Sequence, residues 1–300
     1  MMKIPLHIVS GFLGSGKTTL LKKIIHTYSG QYRLGIIQNE FAPANVDGEE
    51  LINTGKDFHL LEINNGSVFC ACLLGDFSRS LEKFIDTCHP DILIIEASGL
   101  SDTTSTAEVI LSGHLSDKLF LASNWCIVDT VNYHRTGSLK QRVEHQIRMA
   151  DIVMINKTDL AEEQMVKKTV EEVRITNPFA EIQLTRFCDA DIHIGQSAIN
   201  KFYPGHNQSL AKPEINSMVM KSGKKISCES LVLFMKEWAP KSFRIKGYIN
   251  LENAETWAVQ SVFEKTEMAK TSQRFHPTEL IALTDQFTLR EWNQAFRKLS

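Results

Sequence analysis

The sequence predicts an α/β protein: a doubly wound, mostly parallel sheet followed by a smaller C-terminal α+β domain. Three observations carry this expectation. Short apolar runs alternate with amphipathic stretches up to about residue 190. A glycine-rich turn joins the first run to the first helix. Past residue 213 the order changes to one helix, a run of strands and a closing helix.

Ile4–Val9 is the first apolar run, and Thr18–Tyr28 sets Leu20, Leu21, Ile24, Ile25 and Tyr28 on one helical face. Further strands are expected at Leu34–Ile37, Phe58–Ile63, Ile92–Ile95, Trp125–Val128, Ile152–Ile155 and Ile182–Leu184. Helices are expected between several of them, at Phe77–Thr87, Leu139–Met149 and Glu162–Thr176. Ile92–Ile95 is apolar throughout, as a strand covered on both faces should be. From His193 to Pro213 the periodicity is lost, and Gly, Asn, Gln, Ser and Pro read as a linker. Strands at Ser217–Met220, Arg244–Leu251, Trp257–Phe263 and Leu280–Leu283 follow, with helices at Glu229–Trp238 and Leu289–Leu299. The expected division is residues 1–192, a linker at 193–213, and a second domain at 214–300.

A chain of 300 residues fits two domains better than one small core. Its net charge of −2 gives no general pull towards nucleic acid or anionic membrane. No apolar run approaches the roughly 20 residues that span a bilayer. With the first strand beginning by Ile4, no room for a signal peptide is expected, and the expected location is cytoplasmic. The six cysteines, at 70, 72, 88, 126, 188 and 228, do not form a disulfide scaffold. Cys126 and Cys228 lie in apolar-periodic stretches and read as small buried hydrophobes. Only Cys70 and Cys72 invite a metal argument.

Gly11-Phe12-Leu13-Gly14-Ser15-Gly16-Lys17-Thr18 fits the phosphate-loop pattern, with a strand before it and a helix after. Gly11, Gly14 and Gly16 let backbone N–H groups approach phosphate oxygens, joined by those of Ser15 and Thr19 at the helix start. Lys17 is expected to reach the β- and γ-phosphates, and the Thr18 hydroxyl to bind Mg²⁺.

The base is chosen elsewhere. Asn156-Lys157-Thr158-Asp159 follows the apolar run Ile152–Ile155 directly. A carboxylate at Asp159 can accept from both guanine N–H groups, whereas adenine would turn an acceptor towards it. Guanine is therefore expected, and a P-loop kinase acting with ATP is disfavoured. Glu96-Ala97-Ser98-Gly99 follows Ile92–Ile95, a strand end where magnesium and the attacking water are held in P-loop enzymes. Glu96 is the expected catalytic carboxylate beside Lys17, and the Gly99 N–H is expected to meet the γ-phosphate. A helix cap around Ser98 or Ser101 is compatible with both roles. No arginine finger or water-positioning glutamine is evident.

With these motifs in order, the chain resembles the CobW-type metallochaperone GTPases, kin to the GTPases that insert nickel into hydrogenase and urease. The resemblance rests on Gly11–Leu21, Asn39-Glu40-Phe41, Asn64-Asn65-Gly66 before a cysteine pair, Glu96 with Ser98-Gly99-Leu100, and Val128-Asp129. Ala150-Asp151 running into Asn156-Lys157 and Asp159, Asn177-Pro178, and Arg244-Ile245-Lys246-Gly247 extend it. It implies GTP hydrolysis coupled to delivery of zinc or cobalt to a client protein. It also implies a second domain that meets the client or a second copy, in a homo-oligomer dependent on GTP or metal.

The chain departs from the family pattern in places. The family's C-x-C-C appears as Cys70-Ala71-Cys72-Leu73, and two acidic positions near Asn39-Glu40 appear as Gln38 and Pro43. Cys70 and Cys72, with Glu40 as a further donor, are the expected transition-metal ligands; packing through Val68, Phe69, Leu73 and Leu74 is the competing reading. A GTP switch or cofactor-assembly helper without its own metal site is the alternative function. In the second domain, Trp238 and Trp257 read as core. Lys221, Lys224 and Lys225 read as a hairpin tip, and Lys241, Arg244 and Lys246 as a basic edge.

Overall fold

A computed structural model describes residues 3–39, 57–63, 74–97, 107, 113–202, 216–262, 264–271 and 277–299. Seven strands form the first sheet: β1 (Ile4–Gly11), β2 (Leu34–Asn39), β3 (His59–Ile63), β4 (Ile92–Glu96), β5 (Leu119–Asp129), β6 (Ile152–Asn156) and β7 (Glu181–Leu184). Their order is β3-β2-β4-β1-β5-β6-β7, and every pairing is parallel. The chain winds from β1 to one side, returns through β4, and continues to the other side from β5. The order therefore reverses at β1, where ligands of such sheets gather beyond the strands' carboxyl ends.

Alternation along the strands feeds both faces. Val9, Ile36, Ile94, Ile127 and Met154 pack with Leu20, Leu21, Ile24 and Ile25 of α1 (Lys17–Tyr28). Ile8, Ile37 and Ile95 face Phe77, Leu81, Phe84 and Ile85 of α2 (Leu74–Cys88). Cys126, Val128, Val153 and Ile155 face Val143 and Ile147 of α3 (Lys140–Met149) and Val173 of α4 (Glu163–Thr176).

The stretch expected as a linker from residue 193 opens instead with α5 (Gly195–Phe202). Ile194 joins the α1-side core, and the Tyr28 hydroxyl donates to the Ile192 carbonyl at 2.7 Å. Anchoring by a few buried side chains, rather than a full apolar stripe, hid this element from a periodicity reading.

The second sheet comprises β8 (Asn216–Ser222), β9 (Arg244–Asn250), β10 (Thr256–Val262), β11 (Lys265–Thr271) and β12 (Thr278–Thr284). They are antiparallel in the order β11-β10-β9-β12-β8. Edge strand β11 was not expected, because its sequence KTEMAKT carries little apolar signal. α6 (Cys228–Trp238) and α7 (Leu289–Lys298) cover one face through Phe234, Met235, Trp292 and Phe296. Trp238 is buried and Trp257 packs against the same core. The other face docks on the first domain: Val219, Tyr248, Ile281 and Leu283 share a core with Leu119, Phe120, Leu121 and Met149.

Three local expectations are corrected. Cys228 is exposed on α6 rather than buried. Lys221–Lys225 connects β8 to α6 rather than forming a hairpin, and the Lys224 ammonium donates to the carbonyls of Arg297 and Leu299 at the end of α7. Arg244 and Lys246 form no basic edge: both are buried against Asp151 at the start of β6, at 2.6 and 2.5 Å. Burial works against ionisation of Asp151, but Arg244, Lys246 and the Asn124 N–H outweigh it and hold its carboxyl below the usual range.

Candidate functional site

The carboxyl end of β1 runs into the glycine turn, and the turn into the first residue of α1. Gly16 caps that helix at φ 115°, and a Cβ there would stand 2.7 Å from Asn156 Nδ2 and 2.8 Å from Cys188 Sγ. Only glycine fits this crossing of three segments. Lys17 is buried, with its ammonium donating to the carbonyls of Gly11 (3.1 Å) and Phe12 (3.4 Å). The helix start thus places N–H groups and a cation at one mouth, a ready anion site.

Glu96, at the end of β4, pairs in register with Val9 of β1 on one side and Gln38 of β2 on the other. Its carboxylate lies 4.0 Å from the Lys17 ammonium and accepts from Gln38 Nε2 at 2.8 Å. All three side chains are buried. The two residues expected to be catalytic, Lys17 and Glu96, thus lie side by side. In the sequence Gln38 reads only as the loss of an acidic residue.

Asn156 ends β6 and ties the loop after β7 to the glycine turn. Its Nδ2 donates to the Ser15 carbonyl at 2.9 Å, and its Oδ1 accepts from Cys188 N at 2.9 Å and Thr185 Oγ1 at 3.1 Å. Lys157 follows in a left-handed conformation (φ 62°), its ammonium 2.7 Å from Asp129 at the end of β5. Burial opposes ionisation of Asp129, but hydrogen bonds from Lys157 and Asn132 keep its carboxyl below the ordinary range. Asp159 is exposed in the short helical turn Thr158–Leu160, and the Thr158 hydroxyl donates to the Thr185 carbonyl at 3.1 Å.

The segment Thr185–Cys188 is the part of the site that sequence reasoning missed. Phe187 and Cys188 both take left-handed backbone conformations (φ 51° and 54°), which hold the Cys188 N–H towards Asn156. The Cys188 thiol meets the Gly16 carbonyl at 3.3 Å, and burial raises its pKa to about 12. The available signal was a threonine just past β7. It carries no periodicity.

Glu40, Cys70, Cys72 and Gly99 lie outside the described residues. Among the described residues, no group of three or more His, Cys, Asp or Glu side chains could hold a metal ion. No helix of the described residues is long and apolar enough to cross a membrane.

The ends of β1, β2, β4, β5 and β6 thus converge on one glycine turn, the arrangement of a P-loop nucleotide-binding protein. The chain belongs to the CobW/HypB/UreG family: residues 5–183 match its nucleotide-binding domain. It is 29% identical over 199 residues to the zinc chaperone CobW of Sinorhizobium sp, covering 57% of this chain and 55% of that protein. The zinc chaperone YjiA of Escherichia coli is 27% identical over 198 residues, 64% of this chain and 60% of that one. Zinc-regulated GTPase metalloprotein activator 1 of Dictyostelium discoideum is 27% identical over 216 residues, 60% of this chain and 45% of that one. The matched part is thus about half the length of these curated relatives. The crystal structure of Zn(II)-bound YjiA GTPase from E. coli superposes with a TM-score of 0.51 at 22% identity, covering 100% of both chains, so the whole fold is shared.

Proposed function

We propose that this chain hydrolyses GTP and couples its nucleotide state to the handling of zinc or cobalt for a client protein. The observation that carries the reading is the closure of the site by Asn156, which joins the glycine turn to the loop Thr185–Cys188 beside Asp159. Phosphate cradle and base reader are thereby held in one register. In this reading Gly11, Gly14, Ser15, Gly16, Thr19 and Gly99 surround the phosphates, and Lys17 swings to the β- and γ-phosphates. Asn156, Lys157 and Asp159 hold the guanine. The Thr18 hydroxyl holds magnesium; with Glu96 close to Lys17 the donors are oxygens, as that hard cation prefers. When bound, magnesium neutralises charge developing on the β- and γ-oxygens. Glu96 holds the attacking water.

Residues 1–192 form the nucleotide unit of this proposal, 193–213 the connection, and 214–300 the unit that meets the client or a second copy. Zinc or cobalt is cargo, taken by Cys70 and Cys72 with Glu40. The relatives are zinc chaperones and a zinc-regulated GTPase by name, which supports zinc first. The shortened cysteine motif favours one other reading, a GTP switch that assists cofactor assembly without carrying metal. Equilibrium dialysis with zinc and with cobalt separates the two. Cys70→Ser/Cys72→Ser should lose about one bound ion per chain if the pair ligates cargo. Stoichiometry equal to that of the unaltered chain would reject the metal site and leave the switch.

A further inference from the structure

Gln38 is buried at the end of β2 with one half of its amide engaged and the other not. Nε2 donates to Glu96 Oε2 at 2.8 Å, which fixes the orientation of the amide, because a carboxylate accepts and cannot donate. Oε1, on the other side, has no hydrogen-bond partner among the described residues although only 4% of the residue is exposed. A buried amide oxygen left without a donor is costly. It is tolerated where a ligand or water supplies the missing hydrogen. The acceptor belongs to a side chain anchored on Glu96, whose carboxylate lies 4.0 Å from the Lys17 ammonium.

From this geometry we infer that Gln38 is a positioning residue for hydrolysis: it clamps Glu96 with its N–H and orients the attacking water with Oε1. The inference rests on the GTPase reading above and deepens it. In the step itself, the water oxygen bonds to the γ-phosphorus and the bond from that phosphorus to the β,γ-bridging oxygen breaks. The bridging electron pair leaves with GDP. The water proton passes to the Glu96 carboxylate and from there to solvent as inorganic phosphate departs. Gln38 takes no proton; it holds a second hydrogen of the water, so that a lone pair faces phosphorus.

The charge at position 38 also matters. An acid here would stand against Glu96, and two carboxylates at this separation need a shared proton or cation between them. The neutral amide donates to Glu96 and adds no second negative charge. The position that bears an acid in the family pattern thus serves, in this chain, the water rather than a metal.

Two substitutions in the full chain test this, Gln38→Leu as an apolar replacement of similar size and Gln38→Glu as an isostere. Phosphate release from GTP with magnesium gives kcat and KM, and a non-hydrolysable GTP analogue gives Kd. Gln38→Leu should lower kcat on the order of 10²-fold, while KM and Kd stay within about threefold. Gln38→Glu should lower kcat at least as far, since it keeps an oxygen but repels Glu96. Unchanged kcat in both variants would overturn the inference. So would a fall in kcat matched by an equal loss of analogue affinity. A raised magnesium requirement with full kcat at saturation would also overturn it, making Gln38 a metal-holding group. An unaltered chain that binds GTP without hydrolysing it would sink the GTPase reading itself; a hydrolysing chain indifferent to Gln38 would sink this inference alone.

Discussion

The two edges of the parallel sheet hold buried charge in opposite ways. Where the strands begin, Asp151 is sealed by Arg244 and Lys246 of the second domain, and Lys246 also donates to the Met149 carbonyl at 2.7 Å. Where the strands end, Lys17 and Glu96 stay 4.0 Å apart, the cation resting on loop carbonyls and the acid on the amide of Gln38. Charges closed upon each other make an interface. A cation resting on loop carbonyls at the edge of its acid can turn to a charged ligand. The second domain therefore docks opposite the nucleotide edge, and β6 runs between the two, with Asp151 before one end and Asn156 at the other.

The largest expected effect falls on the sealed edge. Asp151→Ala leaves two cations buried without their carboxylate and should destabilise the chain by about 3–5 kcal/mol. Replacing Asp151, Arg244 and Lys246 together by Leu, Met and Met should recover most of that loss. Urea unfolding measures both, and a single variant as stable as the original would show that the cluster seals nothing. Next, Lys17→Ala should lower GTP turnover on the order of 10²-fold or more while leaving the unfolding midpoint nearly unchanged. Phosphate release read beside a thermal melt checks the contrast. Loss of turnover only in step with loss of folding would erase the distinction between the edges.

The smallest effect concerns pH. His7 lies in the buried sheet near Asp151, with Nδ1 2.6 Å from Ser123 Oγ and its ring stacked on Trp125. Burial drives its pKa from 6.5 down to about 3, against a pull upwards from Asp151. Between those values the unfolded chain binds a proton that the folded chain refuses, so stability falls as pH falls through that window. The slope from this one group is at most about 1.4 kcal/mol per pH unit. Between pH 7 and pH 5 the unaltered chain should thus lose about 1–2 kcal/mol more than His7→Gln. Parallel losses in the two chains would mean that His7 is protonated in the fold.

Most of this architecture was legible in the sequence because it is written in apolar periodicity. The seven strands of the first sheet and α1 to α4 all carry apolar runs or stripes of the expected period. The glycine turn and Asn156–Asp159 were legible because their chemistry restricts residue type. What escaped has its meaning in contacts between distant segments. Arg244 and Lys246 read as a basic edge in sequence, whereas in the fold Asp151, some 93 and 95 residues away, lies against them. Gln38 looked like a missing acid until Glu96, 58 residues away, received its hydrogen bond. Thr185 and Cys188 gave no sign, since a loop that closes on Asn156 needs neither period nor motif.

The central claim, that the open edge holds guanosine triphosphate, is tested most directly by competition. Unaltered chain and Asp159→Asn are each titrated with GTP, ATP and xanthosine triphosphate in magnesium. The account predicts that the unaltered chain favours GTP over ATP by at least about tenfold, or about 1.4 kcal/mol. The substituted chain should weaken for GTP and gain for xanthosine triphosphate. Equal affinity for GTP and ATP, or a preference untouched by Asp159→Asn, would contradict it.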